Sequence, residues 1–255
     1  MCFSCESEFD SSVLNSNEKI ALECYISPSD SIITAILTRS IPFTVKKTLF
    51  DSLFVRNARI FISDILTEKE LKYINIPFSH YELPSSQFKI DFGKKYTIRV
   101  LLEDGNELHS TCTVPKNSSI PESIEILKYI RNPMVIDVKL RWKNEQKQNY
   151  SIQNFYYANN RMQSFPIQFF KSSEFSVDSI TSNFFTYDLN IIDKKRNTFF
   201  FSVLDNNLFE YNKSLNLNFN NQDDPFSQPI NVKSNVEGGL GCFGAYIVKR
   251  IDYEL

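Results

Sequence analysis

Polar and apolar residues alternate along much of the chain with the period of a β-strand rather than a helix. Lys19–Ile26 shows it cleanly. Ile20, Leu22, Cys24 and Ile26 fall on one face, and Lys19, Glu23 and Tyr25 on the other. Ile32–Thr38 and Val55–Ser63 are further predicted strands. Tyr96–Leu102 and Glu107–Val114 flank Asp104-Gly105, a pair that suits a tight hairpin turn. In that hairpin Tyr96, Ile98 and Val100 share a core face with Leu108, Cys112 and Val114. Thr67-Glu68-Lys69-Glu70 fits a capping box, which predicts a short helix to about Tyr73. Together these elements predict a β-sandwich over residues 18–116.

Pro115-Lys116-Asn117-Ser118-Ser119-Ile120-Pro121 reads as a linker, because it joins two prolines to a polar run. A second β-rich domain is expected over residues 122–255. Met134–Trp142 alternates, with Ile136, Val138, Leu140 and Trp142 on one face. Strands are predicted near Asn149–Ala158, Phe165–Phe170, Phe184–Ile192 and Asn197–Leu204. Asp205 then caps a helix from about Asn206 to Phe219, with Leu208, Tyr211, Leu215 and Phe219 on its buried stripe. Asn221–Pro229 reads as a polar loop, and Ala245–Tyr253 as a last strand. The fold class is mainly β, with one or two short helices.

Composition narrows the chemistry. The formal charge is −2, from 28 basic and 30 acidic residues, so there is no basic excess to meet a nucleic-acid backbone. No apolar stretch approaches the ~20 residues that span a bilayer. Cys2, Cys5, Cys24, Cys112 and Cys242 show no zinc spacing, and the two histidines, His80 and His109, lie far apart. No metal and no cofactor is expected. Each histidine neighbours a serine, Ser79 and Ser110, but adjacency in sequence does not make a catalytic pair. Asp223-Asp224 before Pro225 reads as a solvated turn. Cys24 and Cys112 both point inward, as a disulfide or, more simply, as two buried thiols.

Glycine is scarce. Only 6 of 255 residues are glycine, and four of them are Gly238, Gly239, Gly241 and Gly244. Gly239–Gly244 matches G-x-G-x-x-G, the dinucleotide fingerprint. That motif needs a following helix and strand, and the remaining residues alternate like one strand. The reading left is a turn that needs positive φ or close backbone packing. Aromatics are abundant at 14%. In Phe155-Tyr156-Tyr157 and Phe199-Phe200-Phe201 alternate rings point outward, as a partner-docking or sugar-stacking surface would.

The N-terminus resembles the end of a bacterial lipoprotein signal, with Ser4 as the small residue before a lipidated Cys5. Glu6-Ser7-Glu8 is similar to an acidic surface-export signal, and Phe9–Asn17 is polar, as a tether is. The plain alternative is a polar tail with a chance cysteine.

Asp224-Pro225-Phe226, Pro229 and then Ser234-Asn235-Val236-Glu237-Gly238-Gly239-Leu240-Gly241-Cys242-Phe243-Gly244-Ala245-Tyr246 carry a resemblance. They are similar to the C-terminal signature of a Bacteroidota outer-membrane lipoprotein family, domain of unknown function 4249. The hairpin that ends at Thr113-Val114-Pro115 resembles that family's first domain. The lysine after Trp142 departs from the family's tendency toward an acidic residue there. The resemblance implies an N-terminal immunoglobulin-like sandwich and a second β-rich domain. It implies a lipid-anchored protein on the outer face of the outer membrane. It also implies a non-enzymatic accessory or cap of an outer-membrane β-barrel, such as a TonB-dependent transporter, together with other lipoproteins. The alternative is an independent glycan- or peptide-binding surface lipoprotein. Asn235, Glu237, Gly238, Gly239, Gly241, Phe243 and Gly244 are expected to be structural, with Glu237 accepting hydrogen bonds from the glycine turn.

Overall fold

A computed structural model describes residues 18–41, 50–145, 147–221 and 231–255. Cys2, Cys5, the tether and the Asp223–Pro229 loop lie outside the described residues. Strands dominate, as the alternation predicts. The first seven are β1 (Ile20–Ile26), β2 (Ile32–Arg39), β3 (Arg59–Ser63), β4 (Glu68–Ile74), β5 (His80–Pro84), β6 (Lys95–Leu101) and β7 (Glu107–Thr113). β1, β2 and β5 form one sheet, and β3, β6 and β7 the other. β4 changes sheets midway, pairing with β3 at Glu68–Leu71 and with β5 at Lys72–Ile74. This is the strand order of an immunoglobulin-like sandwich.

Its core is the inward set of the alternation. Leu22, Cys24 and Ile26 meet Tyr96, Ile98 and Val100, and Leu108, Cys112 and Val114 close it. Gly105 takes φ +84 in the β6–β7 turn, where a left-handed residue is needed.

The helix expected after Thr67 is strand β4. Asp64 closes the turn instead. Its Oδ1 accepts from the Leu66 and Thr67 amides at 2.9 and 2.7 Å, which returns the chain against β3. Glu68 and Glu70 then face Arg99 and Arg59 across the strands. The alternating charges therefore serve a sheet surface, not a helix face. The strand expected from Val55 begins only at Arg59.

The second unit adds β8 (Ile124–Asn132), β9 (Val135–Lys143), β10 (Asn149–Ala158), β11 (Arg161–Ser164), β12 (Gln168–Lys171), β13 (Ser179–Thr181), β14 (Phe185–Asp188) and β15 (Ile192–Leu204). β9 pairs with β8 on one edge and with β13 and β14 on the other. β10 pairs with β15 on one edge and with β11 and β12 on the other. Trp142, Tyr150, Phe185, Phe199 and Phe201 fill the space between these two sheets. The strand expected at Phe165–Phe170 is the shorter β12, and that expected at Phe184–Ile192 is β14 followed by the start of β15.

α1 (Asn206–Asn221) starts where Asp205 caps it, with Oδ1 accepting from the Leu208 amide at 2.9 Å. Leu208 and Tyr211 are buried and Leu215 partly so. Phe219 leaves the expected stripe and is 59% exposed.

The last strand, β16 (Leu240–Tyr253), joins the two units. Its first half runs parallel to β1, from Ala21↔Leu240 to Ile26↔Ala245. Its second half runs antiparallel to β15, from Leu204↔Tyr246 to Asn197↔Tyr253. Val236, Phe243 and Ala245 accordingly lie in the first core. The range 122–255 therefore contributes to both cores, since the C-terminal segment crosses back to the first sandwich.

Candidate functional site

The glycine signature is the joint between the sandwiches. Asn235 acts as a strand of one residue. Its Nδ2 donates to the Phe243 carbonyl at 2.8 Å, and its Oδ1 accepts from the Phe243 amide at 3.1 Å. The Glu237 amide donates to the His109 carbonyl at 2.8 Å, and the His109 amide donates back at 3.1 Å. Glu237 thus holds the turn by its main chain. Its side chain is exposed.

Gly241 has φ +101, and a side chain there would strike the Leu22 carbonyl of β1. Gly244 lies under α1, where the Leu208 Cβ stands 2.6 Å from the position a Cβ on residue 244 would take. Gly238 and Gly239 pass as closely over the carbonyls of Glu107 and Ile20. Phe243 fills the first core, while Cys242 on the other face packs under α1 with Leu204 and Phe209.

This joint makes β10, β15, β16, β1 and β2 one continuous sheet. Two features occupy its outer face. The first is a trough of about 670 Å³ where β16 passes between the sandwiches. Tyr25, Asp30, Thr34, Gln153, Ser202 and Tyr246 are among its lining residues. The Tyr246 hydroxyl donates to Asp30 at 3.0 Å. Burial raises the Asp30 carboxyl above its usual range, and the Tyr246 hydrogen bond opposes that rise. Among the described residues no lysine or arginine lines the trough.

The second feature is an aromatic row. Phe155 and Phe200 meet edge to face at 5.6 Å, and the Arg196 guanidinium lies 4.2 Å from the Tyr157 ring centre. These rings border a hollow of about 570 Å³ with Met162 and Arg250. Phe200 is the outward member of Phe199-Phe200-Phe201, whose other two rings are fully buried. The strand period marks this row in the sequence. The Asp30–Tyr246 pair could not be seen there, because its members come from opposite ends of the chain.

A third feature also lacks a sequence signal. Ile65 and Leu66, at the β3–β4 turn, are 95% and 87% exposed. The Asp64 hydrogen bonds make the turn rigid, so two aliphatic side chains are held out in water.

The histidines make no catalytic pair. His80 is buried, with Nδ1 2.8 Å from the Phe78 carbonyl oxygen and Nε2 3.3 Å from Glu82. Neighbouring Ser79 bonds to Asn75 instead. His109 Nε2 lies 2.8 Å from Glu107. Among the described residues no group of His, Cys, Asp or Glu is placed to hold a metal ion, and no helix is long and apolar enough to cross a membrane. Cys24, Cys112 and Cys242 are buried free thiols, and burial pushes the Cys24 thiol up to about 12.

The fold and its joint define a class: a mainly-β protein of two sandwiches fused through one shared strand, the first immunoglobulin-like. The chain belongs to the family described as a domain of unknown function, DUF4249, whose model matches residues 6–252. Solved structures with similarity include the chicken CNTN1 FN1-FN3 domains, 10% identical over 92% of this chain and 69% of that one, with a TM-score of 0.29. A cytokine receptor complex is 12% identical over 91% of this chain and 95% of that one, with a TM-score of 0.27. No curated protein matches.

Proposed function

We propose that the protein is a non-enzymatic accessory of an outer-membrane β-barrel, such as a TonB-dependent transporter. On this reading Cys5 carries the lipid that holds it to the outer face of the outer membrane, beside the barrel and other lipoproteins. The observation that carries the docking role is the rigid Ile65-Leu66 turn. An isolated hydrophobic side chain at a surface is ordinary, but two adjacent aliphatics held almost wholly in water suit burial in a partner. The turn is flanked by Asp64 and Glu68, whose charges disfavour an anionic lipid surface and suit an apolar socket on a protein. The polar tether from Phe9 to Asn17 would give the anchored protein reach to such a neighbour.

The test is extraction from native membranes in mild detergent, with a photo-crosslinking side chain at position 65. The expected result is a crosslink to a β-barrel protein, and loss of that co-purifying barrel in Ile65→Ser/Leu66→Ser. A lipid-free monomer with no barrel partner would sink the reading.

A further inference from the structure

The trough and the aromatic row are one surface. Gln153 on β10 pairs across to Phe200 on β15, so the polar end runs directly into the ring end. Ser151, Gln153, Phe155 and Tyr157 follow one another on the outer face of β10, and Ser202 and Phe200 on that of β15. At ~3.3 Å per residue this run is about 20 Å long, which suits a linear ligand.

Three properties narrow the ligand's chemistry. The first is charge. Asp30 and Glu23 are the ionisable acids of the trough, with no cation beside them in its lining. At the ring end Arg196 and Arg250 are engaged by Asp193 and Asp252 at 2.6 and 3.0 Å, and Lys195 also lines the hollow. A phosphate or acidic ligand running the length of the surface would meet the carboxylates of Asp30 and Glu23 at its trough end.

The second property is the backbone. β10 and β15, which carry Ser151, Gln153, Ser202 and the rings, are paired on both sides, so this part of the floor has no free row of N–H and C=O groups for an extended peptide. The third is what the floor does present. Thr34, Ser151 and Ser202 supply hydroxyls, Gln153 an amide and Asp30 a carboxylate, beside the ring faces of Phe155, Tyr157 and Phe200. A sugar has the same mixture, with hydroxyls at its rim and an apolar C–H face that covers an aromatic ring.

We propose that this surface binds a neutral linear oligosaccharide. The sugar faces lie over Phe200 and Phe155, and the hydroxyls bond to Gln153, Ser202 and the Asp30–Tyr246 pair. The site does not depend on docking to a barrel, because the Ile65-Leu66 turn belongs to β3 and β4, outside this five-strand floor.

The experiment is calorimetric titration of the purified protein with neutral oligosaccharides, covering α- and β-linked gluco-, manno-, galacto- and xylo-oligomers. One series is expected to bind saturably, more tightly as the oligomer lengthens. Phe200→Ala is expected to weaken that binding about ten-fold, or about 1.4 kcal/mol. Gln153→Ala is expected to weaken it by a smaller factor, and Ile65→Ser to leave it unchanged. All three side chains face outward, so unfolding midpoints near wild type would separate a binding loss from a folding loss. The proposal is overturned if no neutral oligosaccharide binds. It is equally overturned if binding survives both Phe200→Ala and Gln153→Ala in folded protein, or if an extended peptide occupies the surface and the sugars do not.

Discussion

Gly244 lies so close beneath Leu208 that a side chain at position 244 would meet the Leu208 Cβ at 2.6 Å. Leu208 is buried, and its Cβ cannot retreat without moving α1. Gly244→Ala therefore forces overpacking. The expected cost is about 1–3 kcal/mol, read as a lower urea midpoint with an unchanged slope.

Asn235 satisfies both main-chain groups of Phe243, a residue with no exposed surface. Asn235→Leu would leave a buried N–H and a buried C=O without partners, at about 1–3 kcal/mol for each. Asn235→Asp keeps the acceptor and loses the donor. Its loss should fall between wild type and Leu in the same unfolding measurement.

Asp205 carries a pH prediction. Burial raises its carboxyl to about 6, well above a free carboxylate, even though the Leu208 and Ala245 backbones hydrogen-bond to the residue. A raised pKa means that the folded state holds the proton more tightly than the unfolded one. The resulting stability is fully present below about pH 4 and is lost as pH rises through about 6. Asp205→Asn keeps a good N-cap and removes the ionisation. The variant should match wild type near pH 4 and exceed it by about 3 kcal/mol at pH 7.5. Equal stability of the two proteins at both pH values would contradict this account.

Cys24, Cys112 and Cys242 are buried, and burial raises all three thiols. Since the thiolate is the reactive form, they should resist maleimide in the native protein. In a Cys2→Ser/Cys5→Ser background no label is expected before denaturant, and three labels after it, counted by mass.

The first sandwich was legible because its signals are local. The Asp104-Gly105 hairpin and the inward faces of β1, β6 and β7 follow from a two-residue period and a turn pair. β4 was not, because Glu68, Lys69 and Glu70 fit a helix start as well as a strand surface. Only the partners Arg59 and Arg99, elsewhere in the chain, decide between them. The role of Gly241 was half legible. Its scarcity value pointed to close packing, but the carbonyl it approaches, that of Leu22, lies at the other end of the chain. The trough was hidden for the same reason, since Asp30 and Tyr246 meet only after β16 has crossed the joint. The outward Phe200 could be read from its strand. The Ile65-Leu66 turn could not, because a pair of aliphatics carries no mark of exposure.

The pairing of β16 with β1 also fixes an order of events. β1 finds this neighbour only after roughly two hundred further residues, at Leu240–Ala245, have been made. Until then one edge of β1 stays open, and the N-terminal core lacks Phe243 and Ala245. The chain must therefore hold off completing its first half until its second half exists. Any loss of β16 would leave both halves unfinished rather than one.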